Sequence, residues 1–71
     1  MVKVYKTDVE EASHARNIIK EIRDIIPGSD PSFDLEDCDK VLRVEQTNGT
    51  IQEQDIRKIL ADYGHYMEIL L

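Results

Sequence analysis

The chain has 71 residues and a formal net charge of −6, from 15 acidic and 9 basic side chains. A chain of this length can bury one hydrophobic core, so we expect a single domain over residues 1–71 and no deep cleft between two lobes. The negative charge would repel phosphate backbones, which argues against a nucleic-acid partner.

Cysteine usage and hydropathy bear on the cellular setting. Cys38 is the only cysteine, so no disulfide can form within the chain and nothing indicates an oxidising compartment. No apolar run approaches the ~20 residues of a transmembrane helix, and the start, MVKVYKTD, lacks the apolar core of a signal peptide. We therefore expect a soluble cytoplasmic protein with no membrane insertion.

The first half of the chain predicts a strand followed by a helix. Residues 1–7, MVKVYKT, alternate apolar and polar side chains, which is typical of a half-buried strand. Asp8 is predicted to cap the helix, with Glu11 as the acidic member of a D-x-x-E capping box. The helix ends at Pro27-Gly28. Its apolar stripe, at spacings of three and four residues, contains Ala12, Ala15, Ile18, Ile19, Ile22, Ile25 and Ile26.

The second half predicts a hairpin, a helix and a strand. The segments SFDLED and KVLRVE alternate around an acidic turn and form the hairpin. Thr50 and Glu53 form a T-x-x-E capping box for the second helix, and Gly64 suits the left-handed conformation just past its end. The closing segment, HYMEILL, is a strand. The residues expected to face the core are Phe33, Leu35, Leu42, Val44, Ile56, Ile59, Leu60, Tyr63, Met67, Ile69 and Leu71.

The predicted order is β-α-β-β-α-β, with two right-handed crossovers and one hairpin. This order predicts an α+β fold, the ferredoxin-like sandwich of four antiparallel strands with two helices on one face. Three loops then meet at one edge of the sheet, and they carry Glu11, His14, Cys38 and His65. Because the last strand pairs with the first, we expect His65 within ~5–10 Å of the first turn of the first helix, with Cys38 further away.

Each residue at this edge has a structural and a chemical interpretation. Glu11 is explained as a helix cap, His14 as an exposed first-turn residue, and His65 as part of the turn that Gly64 makes. The chemical interpretation is a metal site, since histidine is the commonest transition-metal ligand and His14 lies one turn from Glu11. No arrangement typical of nucleophilic catalysis and no Gly-rich phosphate loop is present, so we do not expect an enzyme.

Several segments resemble the heavy-metal-associated (HMA) domain, the module of copper chaperones and of the N-terminal extensions of metal-transporting ATPases. These segments are KVYKTDV, FDLEDCDKVLRVE and IRKILADYGHYMEIL. The M-x-C-x-x-C metal motif of that family falls on VEEASH. Val9 therefore stands at the methionine position, Glu11 at the first cysteine and His14 at the second.

The resemblance implies a metal-binding or metal-delivering module with His14, His65 and Glu11 as ligands, and a protein partner such as a metal transporter domain. Carboxylate and imidazole groups suit Zn(II), Ni(II) or Cu(II) better than Cu(I), which the family holds between two thiolates. Tight Cu(I) binding is therefore not expected. The alternative is a scaffold that has lost its metal motif and acts as a protein-interaction or regulatory module.

Overall fold

The computed structural model describes residues 1–36, 40–47, 49 and 51–70. Its elements are β1 (Val2–Thr7), α1 (Ala12–Ile25), β2 (Ser29–Asp34), β3 (Val41–Gln46), α2 (Glu53–Asp62) and β4 (Met67–Ile69). The strands form one antiparallel sheet in the order β2-β3-β1-β4. The α+β fold and its ferredoxin-like βαββαβ arrangement are therefore confirmed. The predictions made for Cys38, Thr50 and Leu71 lie outside the described residues.

The strand register decides which face of the sheet is buried. Tyr5 lies opposite Leu42, and Thr7 lies opposite Met67. All four of these side chains are buried, whereas Val2 on the other face of β1 is exposed. The period of two in β1 is as predicted, but the apolar side of the pattern, with Val2 and Val4, is the open one, and the side with Tyr5 and Thr7 faces the core.

The apolar stripes of both helices supply most of the rest of the core. The buried helical residues are Ala15, Ile18, Ile22, Ile56, Ile59 and Leu60. Three residues predicted to face inward are instead exposed: Ala12 at the start of α1, and Ile25 and Ile69, which are 49% and 51% exposed. At the end of α1 the chain turns so that Ile26 takes the core position, while Ile69 ends a three-residue strand at the sheet edge.

Both helices begin later than the capping patterns predict. The residue at the N-cap of α1 is Glu11 and that of α2 is Gln52, and neither side chain makes a cap hydrogen bond. The prediction that Asp8 and Glu11 cap α1 is therefore wrong. The prediction that Glu53 is the third residue of α2 is also wrong, because the helix begins at Glu53. The physical reason is burial, because Val9 and Ile51 lie in the core and the loop must carry them there before helical geometry starts.

No helix within the described part of the chain is long and apolar enough to cross a bilayer.

Ile22 and Ile25 provide a matched test of the core. Ile22 is fully buried and Ile25 is half exposed, and both lie in α1. We expect Ile22→Ala to lower the free energy of unfolding by about 2–5 kcal/mol, through lost burial and the cavity left behind. Ile25→Ala should cost at most about 1 kcal/mol. Urea unfolding with EDTA present measures both, and equal losses would contradict this placement of the core.

Tyr5 predicts how stability changes at alkaline pH. Its hydroxyl is buried without a hydrogen bond of good geometry, and burial, followed by the charge of Glu53, raises its pKa. In the unfolded chain the Tyr5 hydroxyl loses its proton near pH 10, whereas in the folded chain it keeps the proton at that pH. The contribution of Tyr5 to the free energy of unfolding is therefore constant below about pH 10 and falls as the pH rises above it. We expect Tyr5→Phe to show a shallower decline above about pH 10 than the wild type. Tyr66→Phe, at an exposed position, serves as the control and should keep the wild-type slope.

Candidate functional site

The loop between β1 and α1 is held in place by Val9 and Thr7. The Val9 side chain is fully buried, and its N–H donates to Thr7 Oγ1 at 3.3 Å. The Thr7 hydroxyl donates in turn to the carbonyl oxygen of Lys40, just before β3, at 2.6 Å. These contacts fix the loop. Asp8, directly before Val9, and Glu11, two residues after it, are exposed and are positioned with the loop.

His65 is positioned by the turn that ends α2. Gly64 adopts the left-handed conformation with φ of +79°, as its sequence position predicted. The Gly64 N–H donates to Ala61 O, and the His65 N–H donates to Leu60 O, both at 2.9 Å. This pair of bonds is the Schellman arrangement, in which a glycine reverses the chain direction at a helix end. The backbone at His65 is therefore set by the helix itself.

The two histidines meet at the edge where the topology places them. His14 lies in the first turn of α1, and its Nδ1 is 3.0 Å from Nε2 of His65. The ring centroids are 5.2 Å apart and the rings meet edge to face at 64°. The side chain of His14 is 36% exposed and that of His65 is 14% exposed. The pair is thus accessible from one side and supported by the fold on the other.

A carboxylate lies against the outer nitrogen of each ring. Asp8 Oδ1 is 3.1 Å from His65 Nδ1 and also accepts the Tyr66 N–H at 3.1 Å. Glu11 Oε2 is 3.3 Å from His14 Nε2. The four side chains form a row in the order Asp8, His65, His14, Glu11, which we call the histidine row.

Asp8 is the member of the histidine row that the sequence did not predict. It was assigned to the helix cap, and its contact with His65 spans 57 positions in the chain. The strand register could have revealed it. Because Thr7 pairs with Met67, the residues that follow and precede them, Asp8 and Tyr66, leave the sheet side by side.

Tyr63, at the end of α2, packs against the His14 end of the histidine row. Its ring centroid lies 5.7 Å from that of His14, at an interplanar angle of 46°. Interaction with the carboxylate of Glu21, on the helix that carries His14, raises the pKa of the Tyr63 hydroxyl.

The ring protons of the histidine row depend on the tautomers of the two imidazoles. A carboxylate can only accept, so the hydrogen bond between His65 and Asp8 requires an N–H at His65 Nδ1. A neutral His65 then presents a lone pair at Nε2, which accepts a hydrogen bond when His14 carries its proton on Nδ1. The other tautomer of His14, with its proton on Nε2 toward Glu11, leaves two lone pairs facing each other, and a metal ion would satisfy both.

The spacing of these two nitrogens is close to that of a metal-ligand pair. Zinc-to-imidazole bonds of ~2.0–2.1 Å in a tetrahedral site place two ligand nitrogens about 3.4 Å apart. The observed 3.0 Å would have to widen by about 0.4 Å for both nitrogens to bind one such ion. Among the described residues no group of three or more His, Cys, Asp or Glu side chains is arranged to hold a metal ion. The row therefore offers two nitrogen ligands.

Comparison with known proteins found no family model, no curated protein and no solved structure that matches this chain.

Asp8 can be tested by removing its side chain. Asp8→Ala should release the Tyr66 N–H and the His65 ring, and should lower the free energy of unfolding by about 1 kcal/mol. It should also change the nitrogen-15 NMR signals of His65, because Nδ1 loses the acceptor that holds its proton. Glu10→Ala, at an exposed position in the same loop, is the matched control. Unchanged His65 signals in Asp8→Ala would show that the contact does not exist in solution.

Proposed function

We propose that this protein is a non-catalytic metal-binding module that holds a divalent transition-metal ion between His14 Nδ1 and His65 Nε2. The observation that carries the proposal is the distance of 3.0 Å between these two nitrogens. The other nitrogen of each ring faces a carboxylate, Asp8 at His65 and Glu11 at His14. A metal ion would take the place of the proton that lies between these two nitrogens. It would supply the positive charge between two lone pairs.

Asp8 and Glu11 act in this proposal as outer carboxylates. Metal-bound histidines usually donate their second N–H to a carboxylate or carbonyl, which orients the ring and makes the bound nitrogen more basic. Glu11, predicted from the sequence as a third ligand, faces Nε2 of His14, on the opposite side of the ring from Nδ1. His14 and His65 therefore remain the proposed ligands, while Glu11 joins Asp8 in orienting them.

The ligand set favours an ion that is bound weakly and exchanged readily. Imidazole nitrogens suit Zn(II), Ni(II) and Cu(II), whereas Cu(I) prefers thiolates. Two protein ligands leave the remaining coordination positions to water or to groups from another molecule. Such a site fits delivery to a partner, such as the domain of a metal transporter that the HMA resemblance implies. That resemblance remains a prediction, since it rests on the sequence segments alone.

A protein-interaction or regulatory module without metal is the second candidate. It is favoured by the absence, within the described part of the chain, of any group of three ligands. The two candidates differ in whether the histidine row changes on addition of metal.

Calorimetric titration of Zn(II) and Ni(II) tests the metal proposal. We expect one ion per chain in the wild type and no binding in His14→Ala or His65→Ala. Asp8→Ala and Glu11→Ala should weaken binding by about 10- to 100-fold, the usual effect of losing an outer carboxylate. Affinity should fall as the pH is lowered, because an imidazole must lose its proton to bind a metal.

Glu10→Ala is the control for charge, since Glu10 is an exposed acidic residue in the same loop. Because Glu11 makes no cap hydrogen bond, Glu11→Ala should affect the metal affinity without destabilising the start of α1. Equal, pH-independent affinity in the wild type and His14→Ala would overturn the metal proposal and favour the interaction module.

A further inference from the structure

Among the described residues, no helix or loop is packed on one face of the sheet, and this face carries a band of apolar side chains. Val2 and Val4 lie on β1 opposite Glu45 and Arg43, and Val41 lies on β3 opposite Asp34. Leu70 joins them, since its N–H donates to Val4 O at 2.8 Å. Val2 is 41% exposed and Leu70 is 45% exposed. We call Val2, Val4, Val41 and Leu70 the apolar band.

A groove runs beside the apolar band. It encloses about 490 Å³ and is bordered by Val2, Val4, Val41, Ser32, Asp34 and Arg43. The α1 and α2 core stripes lie on the opposite side of the sheet, where Tyr5, Leu42 and Val44 are buried with them. An apolar strip bordered by polar residues on a sheet without a covering layer is typical of a docking surface.

The charges around the apolar band leave a small excess of carboxylates. Strand alternation puts two cations and four carboxylates on this face: Lys6, Arg43, Asp30, Asp34, Glu45 and Glu68. Arg43 contacts Glu45 at 3.3 Å, and Arg23 from α1, a third cation, contacts Asp30 at 3.5 Å. The carboxylates thus outnumber the cations by one, in a chain of net charge −6.

Both edges of the sheet are protected against the addition of another strand. At the β4 edge, Arg57 Nη1 donates to the carbonyl oxygen of Met67 at 3.1 Å. At the β2 edge, Pro31 has no N–H to offer to an incoming strand. A partner strand would therefore find the Met67 carbonyl already bonded at the β4 edge, and no N–H at Pro31 on the β2 edge. The open face is the apolar surface that stays available.

We propose that the open face docks a positively charged amphipathic helix of another protein, with the apolar side of that helix on the apolar band. A second copy of this chain would bring a further net charge of −6 against the first, so electrostatic repulsion disfavours self-association. A basic helix instead complements the excess of carboxylates and the negative net charge of the chain. The molecule extends 29 × 21 × 17 Å, so about 14–19 helical residues, at ~1.5 Å each, span its two longer dimensions.

The probe is a synthetic helix of about 18 residues with leucines on one side and lysines on the other. Titrated into the nitrogen-15 labelled protein, it should shift the NMR signals of Val2, Val4, Ser32 and Arg43 in a saturable way. Val4→Lys should reduce the affinity by at least about tenfold, since it removes apolar contact and adds a like charge. Leu70→Lys is a second variant, placed where a folding defect is least expected because the side chain is half exposed.

Ala61→Lys is the matched control, an apolar-to-lysine change at an exposed position of α2, and it should bind the probe like the wild type. A version of the peptide with glutamates in place of lysines should not bind. The proposal is overturned if the shifts fall on the helices, if both peptides bind alike, or if Val4→Lys and Ala61→Lys have equal effects. Sedimentation that showed a dimer formed through the apolar band would also overturn it, in favour of a second copy.

Discussion

The antiparallel pairing of β1 with β4 is the interaction on which the edge of this molecule depends. With Thr7 opposite Met67, the chain leaves both strands at the same level, so Asp8 meets the Tyr66 N–H and the ring of His65. A register shift of one residue would turn Met67 out of the core and move Asp8 away from its partners. The histidine row is thus a product of sheet geometry as much as of the helices that carry it.

Local patterns predicted the elements well, and burial explains where they failed. The order of strands and helices and the core positions of Ile18, Ile22 and Leu60 follow from hydrophobic periodicity. The turn at Gly64 follows from the preference of glycine for the left-handed conformation after a helix. Helix starts did not follow from capping patterns, because an apolar residue before each helix is pulled into the core. A capping side chain contributes about 0.5–2 kcal/mol, and burying a side chain such as Val9 or Ile51 contributes as much or more.

The convergence of His14 and His65 could be predicted because it follows from topology, which places whole loops. The role of Asp8 could not, because the local capping pattern offered that carboxylate a nearer partner in sequence. Likewise, the nitrogen of His14 that each neighbour approaches depends on a side-chain rotation that no sequence pattern encodes. The topology therefore predicts that the two rings lie close together, but not which of their nitrogens carry protons.

The brevity of β4 has a consequence for the lifetime of the histidine row. Three paired residues, bounded by half-exposed Tyr66 and Leu70, form the least protected strand of the sheet. Local opening of this strand would release Tyr66 from Asp8 and free the loop of His65 while the core around Ile22 stayed folded. The amide hydrogen of Tyr66 should then exchange faster than global unfolding alone would permit. The histidine row therefore opens and closes with β4 and not with the whole fold.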